Sequence, residues 1–160
     1  MKARSSCNKS AMTLRRFFGD ALTCVVLTVT GTAFALDYRS VTEAAPMYDA
    51  PSAKAKPLFV VLAGTPVELV VSLEGWSKVR DNRGDLAWME KKYLTEKRNV
   101  IVRFDRVQVR ATAEDSATLV FEAERDVVLE LLEAAPGGWV RVKHRDGQSG
   151  FVKATQVWGL

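Results

Sequence analysis

Tryptophan and basic residues alternate at two places in this 160-residue chain. Trp76, Lys78 and Arg80 stand at every second position, and so do Trp139, Arg141, Lys143 and Arg145. On a β-strand such spacing sends all members of a set to one face. An indole beside cations is equipped to bind: it stacks on a flat sugar or peptide group, and the cations meet an anion. Residues that make or break bonds are scarce. His144 is the single histidine, and Cys7 and Cys24 are the two cysteines. That leaves no pairing of nucleophile with base and no transition-metal set. Glu122 and Glu124 share a strand face, and Glu114-Asp115 falls in a loop. Paired carboxylates serve glycoside cleavage, but no apolar pocket signal surrounds these, and they read as surface. His144 falls by parity on the side of Val140 and Val142, and reads as a semi-buried or strand-end residue. No catalytic residue, metal site or cofactor is expected, and the chain reads as a non-enzyme.

The charge balance looks basic, with 23 Lys+Arg against 19 Asp+Glu and a pI near 9.2. The excess is local. Lys2, Arg4, Lys9, Arg15 and Arg16 against Asp20 account for all of the +4, which leaves 18 basic and 18 acidic residues after position 35. A near-neutral remainder argues against nucleic acid as partner, because phosphate binding needs a net basic surface. Residues 21–35 are uncharged and end in Ala33-Phe34-Ala35. A basic start, an apolar run and a small-x-small ending are the order of a secretory signal peptide. As a helix the run would span about 22 Å, short of the roughly 30 Å needed to cross a bilayer. Residues 1–35 are therefore expected to be a signal peptide cleaved between Ala35 and Leu36, with membrane contact only during export. Arg15-Arg16 leaves a twin-arginine route open beside the general one, and Met12 is a second possible start. Both cysteines leave with the leader, so the mature chain needs no oxidative folding. A periplasmic or secreted location follows.

Residues 36–160 repeat. Gly75-Trp76, Lys78-Val79-Arg80, Gly84 and Trp88-Met89 return 63 positions later as Gly138-Trp139, Arg141-Val142-Lys143, Gly147 and Phe151-Val152. Upstream, 66–71 parallels 127–132, and the second copy has a few extra residues before its Gly-Trp. Strands are expected at 57–62, 76–81, 118–123 and 139–145, and again at Trp88-Met89 and Phe151-Val152. Turns fall at Gly64-Thr65-Pro66, Asp81–Gly84 and Arg145–Gly147. No long helical periodicity follows residue 35. The joint at 95–106 has no Gly or Pro and alternates Val100, Val102 and Phe104 with Ile101, Arg103 and Asp105, so it reads as a strand. Two units of about 60 residues without disulfides would each be marginal, and they are expected to pack as one rigid tandem body.

The doubled pattern Gly-Trp-x-Lys/Arg-Val, a Gly turn, then Trp/Phe with an apolar residue resembles the SH3-like domains of exported bacterial proteins. The resemblance covers about 37–98 and 101–160. It implies an all-β fold: two tandem small five-stranded SH3-like barrels after the signal peptide, with domains at 36–98 and 99–160. It also implies a non-catalytic envelope module that binds peptidoglycan or a cell-wall-associated protein, or an adaptor that meets another periplasmic protein through an aromatic groove.

Strand parity assigns the faces. Val79 and Val142 face the core, which sends Trp76 and Trp139 outward, and Met89 and Val152 face in while Trp88 and Phe151 face out. Trp76 and Trp88 share a face only if the intervening loop has an odd number of residues. The family's groove uses a Tyr after the last long strand. Tyr93 matches it in the first copy, whereas Gln156 holds the place in the second. Glu90 and Lys153 replace the family's usual Pro, which counts against a proline-rich ligand. The ligand-binding candidates are Tyr48, Trp76, Trp88, Tyr93 and Trp139, with the first copy favoured as the aromatic groove. Trp139 and Phe151 are expected to pack mainly against the first barrel.

Overall fold

The computed structural model describes residues 36–160. The expected signal peptide, with Ala35 of the expected cleavage site, lies outside them, and Leu36 is the first described residue. Every regular element here is a strand or a single 3-10 turn. The first half contains β1 (Tyr38–Val41), β2 (Ala45–Tyr48), β3 (Pro57–Val61), β4 (Pro66–Ser72), β5 (Trp76–Arg80), β6 (Leu86–Glu90) and β7 (Leu94–Thr95). The second half contains β8 (Asn99–Val102), β9 (Arg106–Arg110), β10 (Leu119–Glu124), β11 (Val128–Ala135), β12 (Trp139–Lys143), β13 (Ser149–Lys153) and β14 (Val157–Trp158). The sheets run β3-β2-β6-β5-β4-β1-β7 and β10-β9-β13-β12-β11-β8-β14, so the two halves share one topology. All pairings are antiparallel. Each half thus has seven strand segments instead of five. The additions are short pieces at the two ends of each repeat that pair with each other, β1 with β7 and β8 with β14.

Alternation decides which side chains fill the cores. In the first half Val41, Ala45, Met47, Val61, Val67, Val79, Ala87 and Met89 are buried together. In the second, Val100, Val102, Val107, Val109, Ala123, Leu129, Val140, Val142, Val152 and Val157 do the same. These are mostly small β-branched residues, which pack well across a pleated surface. The upstream parallel needs a correction of one residue. Glu68 and Leu69 pair with Arg80 and Val79, while Glu130 and Leu131 pair with Lys143 and Val142. Residue 68 therefore corresponds to 130, and 66 to 128. The single Glu in each run, Glu68 and Glu130, marks this alignment, and the cross-strand register fixes it.

The two halves, residues 36–160, belong to one compact unit. The joint expected as a strand over 95–106 contains the shorter strand β8, whose four residues are all buried instead of alternating, and Phe104 lies beyond it, exposed. Asn99 links the halves: its backbone N–H donates to Ser40 Oγ at 3.1 Å, and its Nδ2 donates to Gly64 O at 2.7 Å. The chain end returns to the same place. Trp158 stands edge-on to Tyr38 with ring centroids 5.1 Å apart, and Arg98 donates to Gly159 O at 2.9 Å. Gly159 has φ +111°, and a Cβ there would lie 2.7 Å from Asn99 O and 3.0 Å from Pro66. Only glycine fits both that backbone and that gap. Burial pushes the Tyr38 phenol above its ordinary value, and the nearby Glu68 carboxylate adds to the shift.

Candidate ligand-binding grooves

The outward face of the first half is built on β2, β6 and β5. The loop between β5 and β6 is 81–85, an odd count, so Lys78 stands opposite Trp88 and Trp76 opposite Glu90. Asp81 holds this loop by accepting from Arg83 N at 2.9 Å and Asp85 N at 2.8 Å. On the other side of β6, Tyr48 is registered with Trp88. Tyr48, Trp88 and Lys78 thus form one row across three strands. The Tyr48 ring also meets Trp76 edge-on at 5.5 Å. All three aromatics are half-buried, while Ser77, Val79, Ala87 and Met89 between them point inward and are buried. The odd loop puts Trp76 and Trp88 on one face, as the parity condition required, and the pairing of β2 with β6 brings Tyr48 to them.

Tyr93 joins the strip indirectly. It ends a 3-10 turn, Lys91–Tyr93, and its ring packs partly against the first core. Lys92 Nζ lies 4.8 Å over the Tyr93 ring and 2.9 Å from Glu90, the residue opposite Trp76. That hydrogen bond to Glu90 raises the Lys92 ammonium above its usual pKa.

The second half repeats the frame with other side chains. Phe151 is registered between Arg110 and Arg141, and Trp139 opposite Lys153. Arg110 thus stands where the first half has Tyr48, and Lys153 where it has Glu90. A groove of about 330 Å³ opens here, lined by Arg106, Gln108, Arg110, Asp115, Glu122, Trp139, Lys153 and Gln156. Trp139 is 8% exposed, with Lys153 Nζ 5.5 Å from its ring centre. The expectation that Trp139 packs on the first barrel is corrected: its neighbours in the groove come from its own half. Phe151 likewise sits in its own sheet, between Arg110 and Arg141. The aromatic that meets the first half is Trp158. The clue was available, because Trp158 occupies the register place of Thr95, and a large ring gained at a strand end needs cover. The groove cations were harder to find. Arg106–Arg110 matches no motif, and its role follows from its strand neighbours.

His144 sits just past β12, half-buried, 3.0 Å from Asp146 and with its ring 5.9 Å from Phe121. This is the strand-end residue anticipated. The hydrogen bond from Gln148 N, with His144 beside it, lowers the Asp146 carboxyl below its ordinary value. Glu122 and Glu124 are exposed, and Glu122 lies 3.4 Å from Arg106. Among the described residues no three His, Cys, Asp or Glu gather as a metal set. None of the helices described is long and apolar enough to cross a membrane.

No curated protein matches the chain. Among solved structures it is similar to NlpC1 and NlpC2 from Trichomonas vaginalis, at 14% and 12% identity and TM-scores of 0.37 and 0.36. These alignments cover 87% and 78% of this chain, and 51% and 48% of those chains. An NlpC/P60 family protein from Bacillus cereus is similar at 17% identity and TM-score 0.36, over 76% of this chain and 56% of that one. The chain thus spans about half the length of these structures. The bacterial SH3 domain matches twice, at residues 41–96 and 104–159. With two copies of one strand order in register, the chain belongs to the bacterial SH3 domain family, whose domains are binding modules.

Proposed function

We propose that this chain is an exported, non-catalytic module of the bacterial cell envelope that holds peptidoglycan through its first repeat. The supporting observation is the half-exposed cluster of Tyr48, Trp76 and Trp88 on the outward face of β2, β5 and β6. Aromatic faces with a flanking Lys78 suit a sugar ring or the flat amides of a peptide. Retention on purified sacculi, weakened several-fold when Trp76 is changed to Ala, is the expected result. A wild-type chain that stays in the supernatant removes the wall ligand.

A second reading, an adaptor for another periplasmic protein, has one observation in its favour. Leu58, Val60 and Leu62 on and after edge strand β3 are 46%, 62% and 70% exposed beside the Tyr48 strand. Co-purification of one envelope protein, abolished by Val60→Glu with sacculus retention unchanged, would favour the adaptor. Export itself is tested by intact mass: a mature chain beginning at Leu36 is expected.

A further inference from the structure

The groove of the second repeat contains three cations and two carboxylates, and the cations are not equivalent. Lys153 Nζ lies 2.6 Å from Asp115, and Arg106 lies 3.4 Å from Glu122. Arg110 has no carboxylate within ion-pair distance among the described residues. Its guanidinium is nevertheless held in place. Nη1 donates to Ala117 O at 2.7 Å and Nη2 to Gln108 Oε1 at 2.6 Å. Two of its five N–H donors are then used and three remain. A cation fixed from two sides loses little freedom when a ligand arrives.

The backbone beneath Arg110 is also specialised. A Cβ at Gly150 would lie 2.6 Å from Arg110 O and 2.8 Å from Val109 Cγ1. The gap between β13 and β9 is therefore closed by the absence of a side chain, and the same place in the first repeat is Ala87. Position 110 itself is Tyr48 in the first repeat. The groove runs beside β10, which is the edge of its sheet and contributes Glu122. An edge strand has backbone groups free to meet an extended chain.

We propose that the second groove is a carboxylate site for an extended acidic peptide, with the free Arg110 guanidinium taking the carboxylate and Trp139 flooring the groove beside it. One unmatched positive charge suits a monoanion. A phosphate dianion would meet Asp115 and Glu122 in the same groove and be disfavoured. The proposal rests on the binding-module reading of the family, not on peptidoglycan as the ligand of the first repeat.

The test uses the whole purified chain and two capped pentapeptides, Ala-Ala-Glu-Ala-Ala and its Gln analogue. Binding is followed by calorimetry and by the indole N–H resonance of Trp139. The Glu peptide is expected to move that resonance and saturate. The Gln peptide, and the Glu peptide on Arg110→Gln, should each bind about tenfold more weakly. Arg110→Lys should recover part of the loss, and added salt should weaken the Glu peptide alone. Equal binding of the two peptides to the wild-type chain overturns the proposal without recourse to any variant. A Trp139 resonance unmoved at millimolar Glu peptide, or an Arg110→Gln chain that folds and binds normally, does so too. Trp76→Ala should leave peptide binding intact while sacculus retention falls, so the two sites fail separately.

Discussion

The two repeats place different chemistry on one frame. The outward row across three strands reads Tyr48, Trp88, Lys78 in the first repeat and Arg110, Phe151, Arg141 in the second. The next row reads Trp76 opposite Glu90 and Trp139 opposite Lys153. Even the edge strands diverge. Exposed Val60 in β3 answers to exposed Glu122 in β10, because Met47 pairs with Phe59 as Val109 pairs with Phe121. Inward positions tolerate no such exchange: Val79 and Val142, and Met89 and Val152, are all fully buried apolar residues. Outward positions are less enclosed than these and tolerate a change of charge or ring at smaller cost, so a duplicated frame can retain its core while its two faces become an aromatic strip and a cationic groove.

Breaking a core should have the largest effect and should not distinguish the faces. Leu129→Ala empties a fully buried position and is expected to cost about 2–5 kcal/mol in thermal or denaturant unfolding. Because the two halves form one compact unit, both should melt together; a surviving transition from the first half would show that they are independent. Next comes the joint. Asn99→Ala leaves Gly64 O without its Nδ2 donor and should cost about 1–3 kcal/mol, with unfolding broadening toward two steps. A single unshifted transition would mean that Asn99 does not couple the halves.

The faces themselves should respond more modestly to change. Trp76→Ala removes the edge-on contact with Tyr48, worth about 0.5–1.5 kcal/mol, and should weaken retention on sacculi several-fold with little loss of fold. Tyr48→Arg should make the first face resemble the second, reducing sacculus retention and creating affinity for the acidic pentapeptide; no gain for the Glu over the Gln peptide would show that Arg110 needs its Gln108 and Ala117 anchors. The smallest effect is a pH term confined to the second repeat. Asp146 has a lowered pKa when folded, first because Gln148 N–H bonds its carboxylate. Its contribution is therefore present above the ordinary carboxyl value of 3.8 and is lost as pH falls below that through the folded value. Asp146→Asn should flatten that part of the acid dependence of stability, read from melts across pH 2–5, lowering stability slightly at neutral pH and leaving it unchanged at the acid end, where the wild-type carboxyl is protonated.

Much of the molecule was legible from residue order. The repeat, the all-β class and the inward or outward sense of Trp76, Trp88, Val79 and Met89 follow from period-two alternation and turn glycines, which are local properties of the chain; the strand at the joint is buried on both faces and shows no such alternation. The gathering of Tyr48 with Trp76 and Trp88 was half legible. Parity could state the condition on the loop, but only the pairing of β2 with β6 brings residue 48 to residue 88, forty positions apart. The second groove was not legible beyond Trp139, because a cation becomes a candidate site only when its partners are known. Arg106, Arg110 and Lys153 look alike as letters. The fold supplies Glu122 to one and Asp115 to another, and leaves Arg110 with neutral oxygens. Likewise the chain end contains a Trp in either account, but only folding seats Trp158 on Tyr38. Alternation along a strand is a short-range property that sequence determines by itself. Which charges are matched and which rings meet depend on contacts between distant strands, and tertiary structure alone decides them.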